Sequence, residues 1–331
     1  MRTFEFRHAA SVSDAIESAA SGARYFAGGT NLLDLMKNGV EKPDSLVDIG
    51  RLGLRSISAT RSGGVLIESG ATNSAVANHP LIRAQYPVLS QAILSGATTQ
   101  LRNMATVGGN LMQRTRCPYF MDTVFDHCNK RNPGSGCAAL AGFNREHALF
   151  GASAACVAVN PSDMAVALTM LDATVHVSGP EGPRSIAIAD FFVLPGHHPH
   201  RENTLRPAEL ITGVELPRSV FGASSWYLKV RDRHSYAFAL VSVAAGLQIE
   251  DGVIRAAAMA LGGVAAKPWR VREAERSLIG EPADEESYRY AADLLMTGAE
   301  PLSENGFKVL LGVNSVVRAL TVAASRHDQR A

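Results

Sequence analysis

Residues 24–39 read RYFAGGTNLLDLMKNG, and this stretch decides the fold. Arg24 to Ala27 reads as a strand that Gly28 and Gly29 end. Leu32, Leu33, Leu35 and Met36 then recur at helical spacing until Gly39 stops the helix, and Thr30 or Asn31 can cap it. Upstream, Ser11 to Asp14 (SVSD) has capping-box spacing ahead of Ala15 and Ile16; downstream, Ser45 to Ile49 (SLVDI) reads as another strand. Strand, glycine turn, helix, strand is the order of a small parallel α/β unit.

From Val65 outward the pattern mixes strands with short helices. Val65–Glu68, Thr174–Val177, Ser185–Ile188 and Leu210–Leu216 read as strands, Val88–Leu94 and Met164–Leu171 as helices, with Ser162 capping the second. Residues of about 112–156 break the rhythm: they hold Pro118, Pro133, Gly134, Gly136, Gly142 and all four cysteines, as an inserted loop domain would. After Pro217 strands dominate, at Trp226–Arg231, Phe238–Ile249 and Val253–Leu261, with Glu250-Asp251-Gly252 as a hairpin turn and helical patterns from Val271. The reading is an α+β protein: a first domain over 1–220, with subdomains of about 1–57 and 58–220, then a C-terminal antiparallel sheet with helices over 221–331.

Composition narrows the function. The 32 basic and 31 acidic residues leave a net charge of +1, so no global field draws nucleic acid or an anionic membrane. A hydrophobic content of 46% excludes disorder. The opening MRTFEFR puts Glu5 and Arg7 where an export signal would be apolar, and the most apolar run, Tyr236–Gly246, falls short of the ~20 residues that span a bilayer. Cytoplasmic folding is the expectation, with export possible as a passenger on a signal-bearing partner.

The glycine pair in Phe26-Ala-Gly-Gly-Thr-Asn31 would let backbone N–H groups approach a diphosphate, or would simply make a tight turn. A second such turn lies in QLRNMATVGGN (100–110), where Thr106 and Asn110 can bond sugar or phosphate oxygens. Asn160-Pro-Ser-Asp163 then places a carboxylate at a helix start, to accept from ribityl or ribose hydroxyls or to cap the helix. Together these three motifs resemble the FAD-binding subunit of the xanthine dehydrogenase family of molybdenum hydroxylases, over the whole length. The C-terminal part is similar to the carbon monoxide dehydrogenase flavoprotein type.

The resemblance implies a two-subdomain FAD-binding domain, with Phe26, Ala27, Gly28, Gly29, Thr30, Asn31, Leu32 and Leu33 as the first pyrophosphate loop. Thr106, Gly108, Gly109 and Asn110 would form the second, Asp163 would meet the sugar chain, Ile211 the flavin ring and Lys229 its edge. It implies electron transfer as one member of a heterotrimer, from a molybdopterin-binding large subunit that oxidises an aldehyde and a [2Fe-2S] small subunit, through FAD, to an external acceptor. A xanthine- or heterocycle-oxidising relative and a self-sufficient flavin oxidoreductase are the alternatives; no His/Tyr or carboxylate pair nominates a substrate base of this chain's own.

Cys117, Cys128, Cys137 and Cys156 are separated by ten, eight and eighteen residues, and the rest of the chain has none. Such clustering suggests one shared ligand. An iron–sulfur cluster suits four thiolates in Gly/Pro loops, with Arg114, Arg116, Lys130 and Arg131 offsetting its charge; zinc, two disulfides and unligated thiols are the alternatives. Most flavin subunits of the family lack these cysteines. They resemble the variant in three-subunit periplasmic aldehyde oxidoreductases, which implies a [4Fe-4S] cluster. His197-His198-Pro199-His200 lacks a companion carboxylate or cysteine pattern for metal, and His127 reads as a neighbour of the cluster or a surface residue. Tyr236 and Phe238 are expected in the C-terminal sheet, with Tyr236 otherwise bordering the flavin, and Trp226 and Trp269 as packing anchors.

Overall fold

The structure, a computed structural model, describes residues 1–328. Strands β1 (Glu5–His8), β2 (Arg24–Phe26) and β3 (Ser45–Asp48) form a parallel sheet in the order β1-β3-β2, with the helix Val12–Ala20 crossing between the first two. Ser11 caps that helix by accepting from the Asp14 N–H at 3.1 Å, as its spacing requires.

A second, antiparallel sheet has the order β4-β5-β8-β6-β7, built from β4 (Ile57–Ala59), β5 (Val65–Glu68), β6 (Thr174–Gly179), β7 (Gly182–Ala187) and β8 (Leu210–Leu216). The C-terminal sheet is the antiparallel set β9 (Ser225–Val230), β10 (Val241–Glu250) and β11 (Val253–Gly262). Asp251 and Gly252 turn its hairpin with φ of +52° and +75°, the left-handed pair that a two-residue hairpin demands.

β10 is buried on both faces, which is why it reads as a continuous apolar run. Ala244 joins a core shared with the helix Asp163–Met170 and the middle sheet; Val241, Val243, Ala245 and Leu247 join another with the helices Glu285–Met296 and Phe307–Asp328. By length and composition the segment Phe307–Arg326 could cross a membrane, but half of it is buried inside the protein, as in a core helix.

Two expectations need correction. β10 begins at Val241, so Tyr236 and Phe238 lie outside the sheet, 65% and 46% exposed. The charged run Arg231-Asp-Arg-His234 follows the end of β9 at Val230, and pairing resumes only at Val241. The cysteine segment, besides a short helix at Pro118–Met121 and one 3₁₀ turn at Ala138–Leu140, is also part of the C-terminal core: Leu149 N–H donates to the Val264 carbonyl at 2.7 Å, and the Phe150 ring stacks on Trp269 with centroids 4.7 Å apart.

Three tyrosines are locked by this packing. Burial pushes Tyr25 up to about 12, raises Tyr86, and raises Tyr227 well above 10, the last also facing Asp163. Because the folded values lie above the unfolded one, the stability they contribute is complete below pH ~10 and is lost as pH rises through the folded values. In an alkaline absorbance titration at 295 nm these three should ionise late or only on unfolding. Seven tyrosines titrating together near pH 10 in folded protein would contradict the packing.

Candidate functional site

At the carboxyl end of β2 the chain turns through Ala27, Gly28 and Gly29, with Gly29 at φ +69°. A side-chain carbon on Gly28 would fall on the Met104 carbonyl. The first glycine turn therefore lies backbone to backbone against the chain just before the second. There Thr106 caps the helix Val107–Leu111, its Oγ1 accepting from Gly109 N–H at 3.2 Å, and Gly108 N–H donates to the Ser69 carbonyl at 2.8 Å.

Both turns wall one cleft of about 860 Å³, within the size range of small-molecule sites. Phe26, Ala27, Gly28, Gly29, Thr30, Asn31, Leu32, Thr106, Gly108, Gly109 and Ile211 line it. Asn31 does not cap its own helix; its Oδ1 accepts from Arg114 N–H, and its buried Nδ2 has no hydrogen-bond partner. A buried amide donor left without an acceptor suits a ligand oxygen. Sequence reasoning missed Arg51 and Arg55, which bring positive charge to the lining. Their signal was position: they follow β3 at the carboxyl edge of the parallel sheet, where ligands of such sheets sit.

Four expected contacts lie outside this lining. Leu33 packs under Gly29. Asn110 accepts from Ser162 Oγ at 2.6 Å. Asp163 and Lys229 meet each other, with Lys229 Nζ 2.7 Å from Asp163 Oδ2 and only 4% and 10% of the two side chains exposed; Tyr227 donates to the second carboxylate oxygen at 2.7 Å.

Cys117, Cys128, Cys137 and Cys156 line a second cavity together with His127 and Lys130, and none is in a disulfide. Cys128 and Cys137 pair across an antiparallel bridge. Burial pushes the Cys117 thiol up to about 12 and raises that of Cys156 against the opposing charge of Lys130. Among the described residues no three or more His, Cys, Asp and Glu side chains are grouped to hold a metal ion. The exposed His198 and His200 have rings 5.8 Å apart.

Of the four cations expected to offset the charge, Lys130 borders the cavity and favours the Cys156 thiolate, whereas the arginines are engaged elsewhere. Arg114 bonds Glu41 and Glu202, Arg116 bonds Asp34, Lys130 bonds Glu202, and Arg131 donates to the carbonyls of Tyr119, Phe120 and Asp122. Carboxylates distant in sequence have claimed three of the four cations.

Residues 2–219 match the family model described as the FAD binding domain in molybdopterin dehydrogenase, and residues 226–323 match the CO dehydrogenase flavoprotein C-terminal domain. The chain is 49% identical over 329 residues to the aldehyde oxidoreductase FAD-binding subunit PaoB of Escherichia coli K12, covering 98% of this chain and 100% of that protein. It is 27% identical over 304 residues to the glyceraldehyde dehydrogenase medium chain of Sulfolobus acidocaldarius, covering 91% and 90%. Among solved structures, quinoline 2-oxidoreductase from Pseudomonas putida 86 superposes with a TM-score of 0.76 at 25% identity, covering 98% of each chain.

The two glycine turns are separable by mutation. Gly28→Val drives a side chain into backbone and should destabilise the fold by at least the ~1–3 kcal/mol of overpacking. At Gly109 the only atom a new Cβ meets closely is Thr106 Oγ1, at 3.1 Å. Gly109→Val should therefore leave folded protein that has lost its flavin. Denaturant melts and the flavin absorbance of purified protein read both effects, and full flavin retention in Gly109→Val would unseat the cleft as the site.

Proposed function

The chain belongs to the FAD-binding subunits of the molybdenum hydroxylase family, and from that premise we propose that it is the flavin member of an aldehyde oxidoreductase. It is an electron-transfer oxidoreductase subunit. The observation that carries the reading is the meeting of two glycine turns in one cleft, with the Asn31 amide unpartnered in its wall. Likeness to PaoB over nearly the whole length supports the aldehyde as substrate class. The partners would be a molybdopterin-binding large subunit and a [2Fe-2S] small subunit.

Bound FAD supplies one-electron acceptance and two-electron release. The chain's own part is to hold it. Backbone N–H groups of the first turn, within 26–33, would take the diphosphate; those of Val107–Asn110 are bonded to Ala71, Ser69 and Thr106, so the second turn would offer the close approach of its bare glycines, and Arg51 and Arg55 add charge. Asp163 turns to the sugar hydroxyls, Ile211 packs on the ring and Lys229 lies at its edge. No residue is assigned to substrate chemistry.

To Cys117, Cys128, Cys137 and Cys156 we assign a [4Fe-4S] cluster. Support comes from their convergence on one cavity as free thiols. Loading would displace the protons that burial holds on Cys117 and Cys156. Where a partner carries an export signal, the folded chain would travel with it to the periplasm; otherwise it stays in the cytoplasm.

The test pairs the isolated chain with the co-expressed three-subunit complex, assayed with aromatic aldehydes and an artificial acceptor. Only the complex should turn over. Aldehyde oxidation by the chain alone would refute the relay, and a complex active only on heterocycles would move the substrate class. Cys137→Ser should lower the iron, near four per chain in anaerobic wild type, while flavin stays bound. Stoichiometric zinc without acid-labile sulfide would refute the cluster.

A further inference from the structure

His147 has one polar partner for its ring: Nε2 lies 3.1 Å from Cys117 Sγ. The residue is 3% exposed, and its other ring nitrogen, Nδ1, has no hydrogen-bond partner. Its backbone is held at both ends. The N–H donates to the Asn144 carbonyl at 3.0 Å, and the carbonyl accepts from Asn305 Nδ2 at 3.1 Å and Lys308 Nζ at 2.8 Å. Lys308, fully buried, also donates to the Gly263 carbonyl at 2.5 Å. A buried lysine that satisfies its ammonium on backbone carbonyls fixes a loop rather than pairing a charge.

We infer that His147 is the hydrogen-bond donor to the Cys117 ligand of the cluster proposed above, and that Asn305 and Lys308 are positioning residues that hold it there. The inference rests on that cluster reading. A ligating thiolate has no S–H and only accepts, so the hydrogen of a neutral imidazole belongs on Nε2. Nδ1 is then a bare lone pair, as its lack of a partner requires. Cys117 is also the one cysteine of the four that lines a neighbouring cavity with Asp163, so the tuned sulfur is the one whose neighbouring cavity reaches the carboxylate assigned to the flavin's sugar chain. Reduction adds one electron to the cluster and negative charge to its sulfurs, which an N–H donor stabilises. The contact therefore raises the reduction potential.

The experiment is an anaerobic dithionite titration of the complex, followed by electron paramagnetic resonance with iron counted in parallel, on wild type, His147→Gln, His147→Leu and His147→Phe. Dithionite supplies the electron. The two donorless variants should show a lowered cluster potential with iron retained. The glutamine variant, whose amide N–H reaches the same sulfur, should stay near wild type. The phenylalanine ring fills the imidazole's space and serves where leucine compromises folding. An unshifted potential in the donorless variants, or an equal drop in the glutamine variant, overturns the inference. Wild type without iron and acid-labile sulfide overturns the cluster reading itself, and this inference with it.

Discussion

The carboxylate of Glu202 sits between Arg114 Nε at 2.6 Å and Lys130 Nζ at 2.9 Å. Burial opposes its charge, but the two cations outweigh that and hold its carboxyl below the usual range. Arg114 reaches on to Glu41 at 2.5 Å, and its own N–H is bonded to Asn31 in the first glycine turn. Lys130 borders the cysteine cavity. One carboxylate thus ties the wall of the flavin cleft to the cysteine segment. Breaking such a shielded set strands charges, at a cost toward the ~3–5 kcal/mol of a disrupted buried pair. An exposed pair such as Arg2–Asp44 carries no comparable weight.

The Asp163–Lys229 pair does similar work elsewhere. Asp163 opens a helix of the first domain, and Lys229 stands on β9 of the C-terminal sheet. Buried ion pairs are weak sources of net stability, but they penalise any arrangement that separates them. With Tyr227 as a further donor, the pair fixes how the C-terminal sheet meets the helix.

Legibility in the sequence followed the range of the interactions. Ser11 and Asp14, Gly29, Gly39 and the Asp251-Gly252 turn act within a few residues, so their pattern alone placed the parallel unit and the hairpin. The cysteines converge across gaps of up to eighteen residues; only their crowding in one segment betrayed a common cavity. Arg114 and Arg116 misled because nearness in sequence to cysteines says nothing about Asp34, Glu41 and Glu202, which compete for them in space. The run Tyr236–Gly246 looked like one strand because apolarity was visible and the end of its partner strand was not. His147 carried no local signal: its role depends on Asn305 and Lys308, more than 150 residues away.

That separation has a consequence for biogenesis. The loop presenting His147 to Cys117 is complete only when Asn305 and Lys308 dock on it, so a ribosome must synthesise the chain through Lys308 before that loop can settle. The contact to Cys117 is thus among the last to form, when the C-terminal helix folds against its sheet.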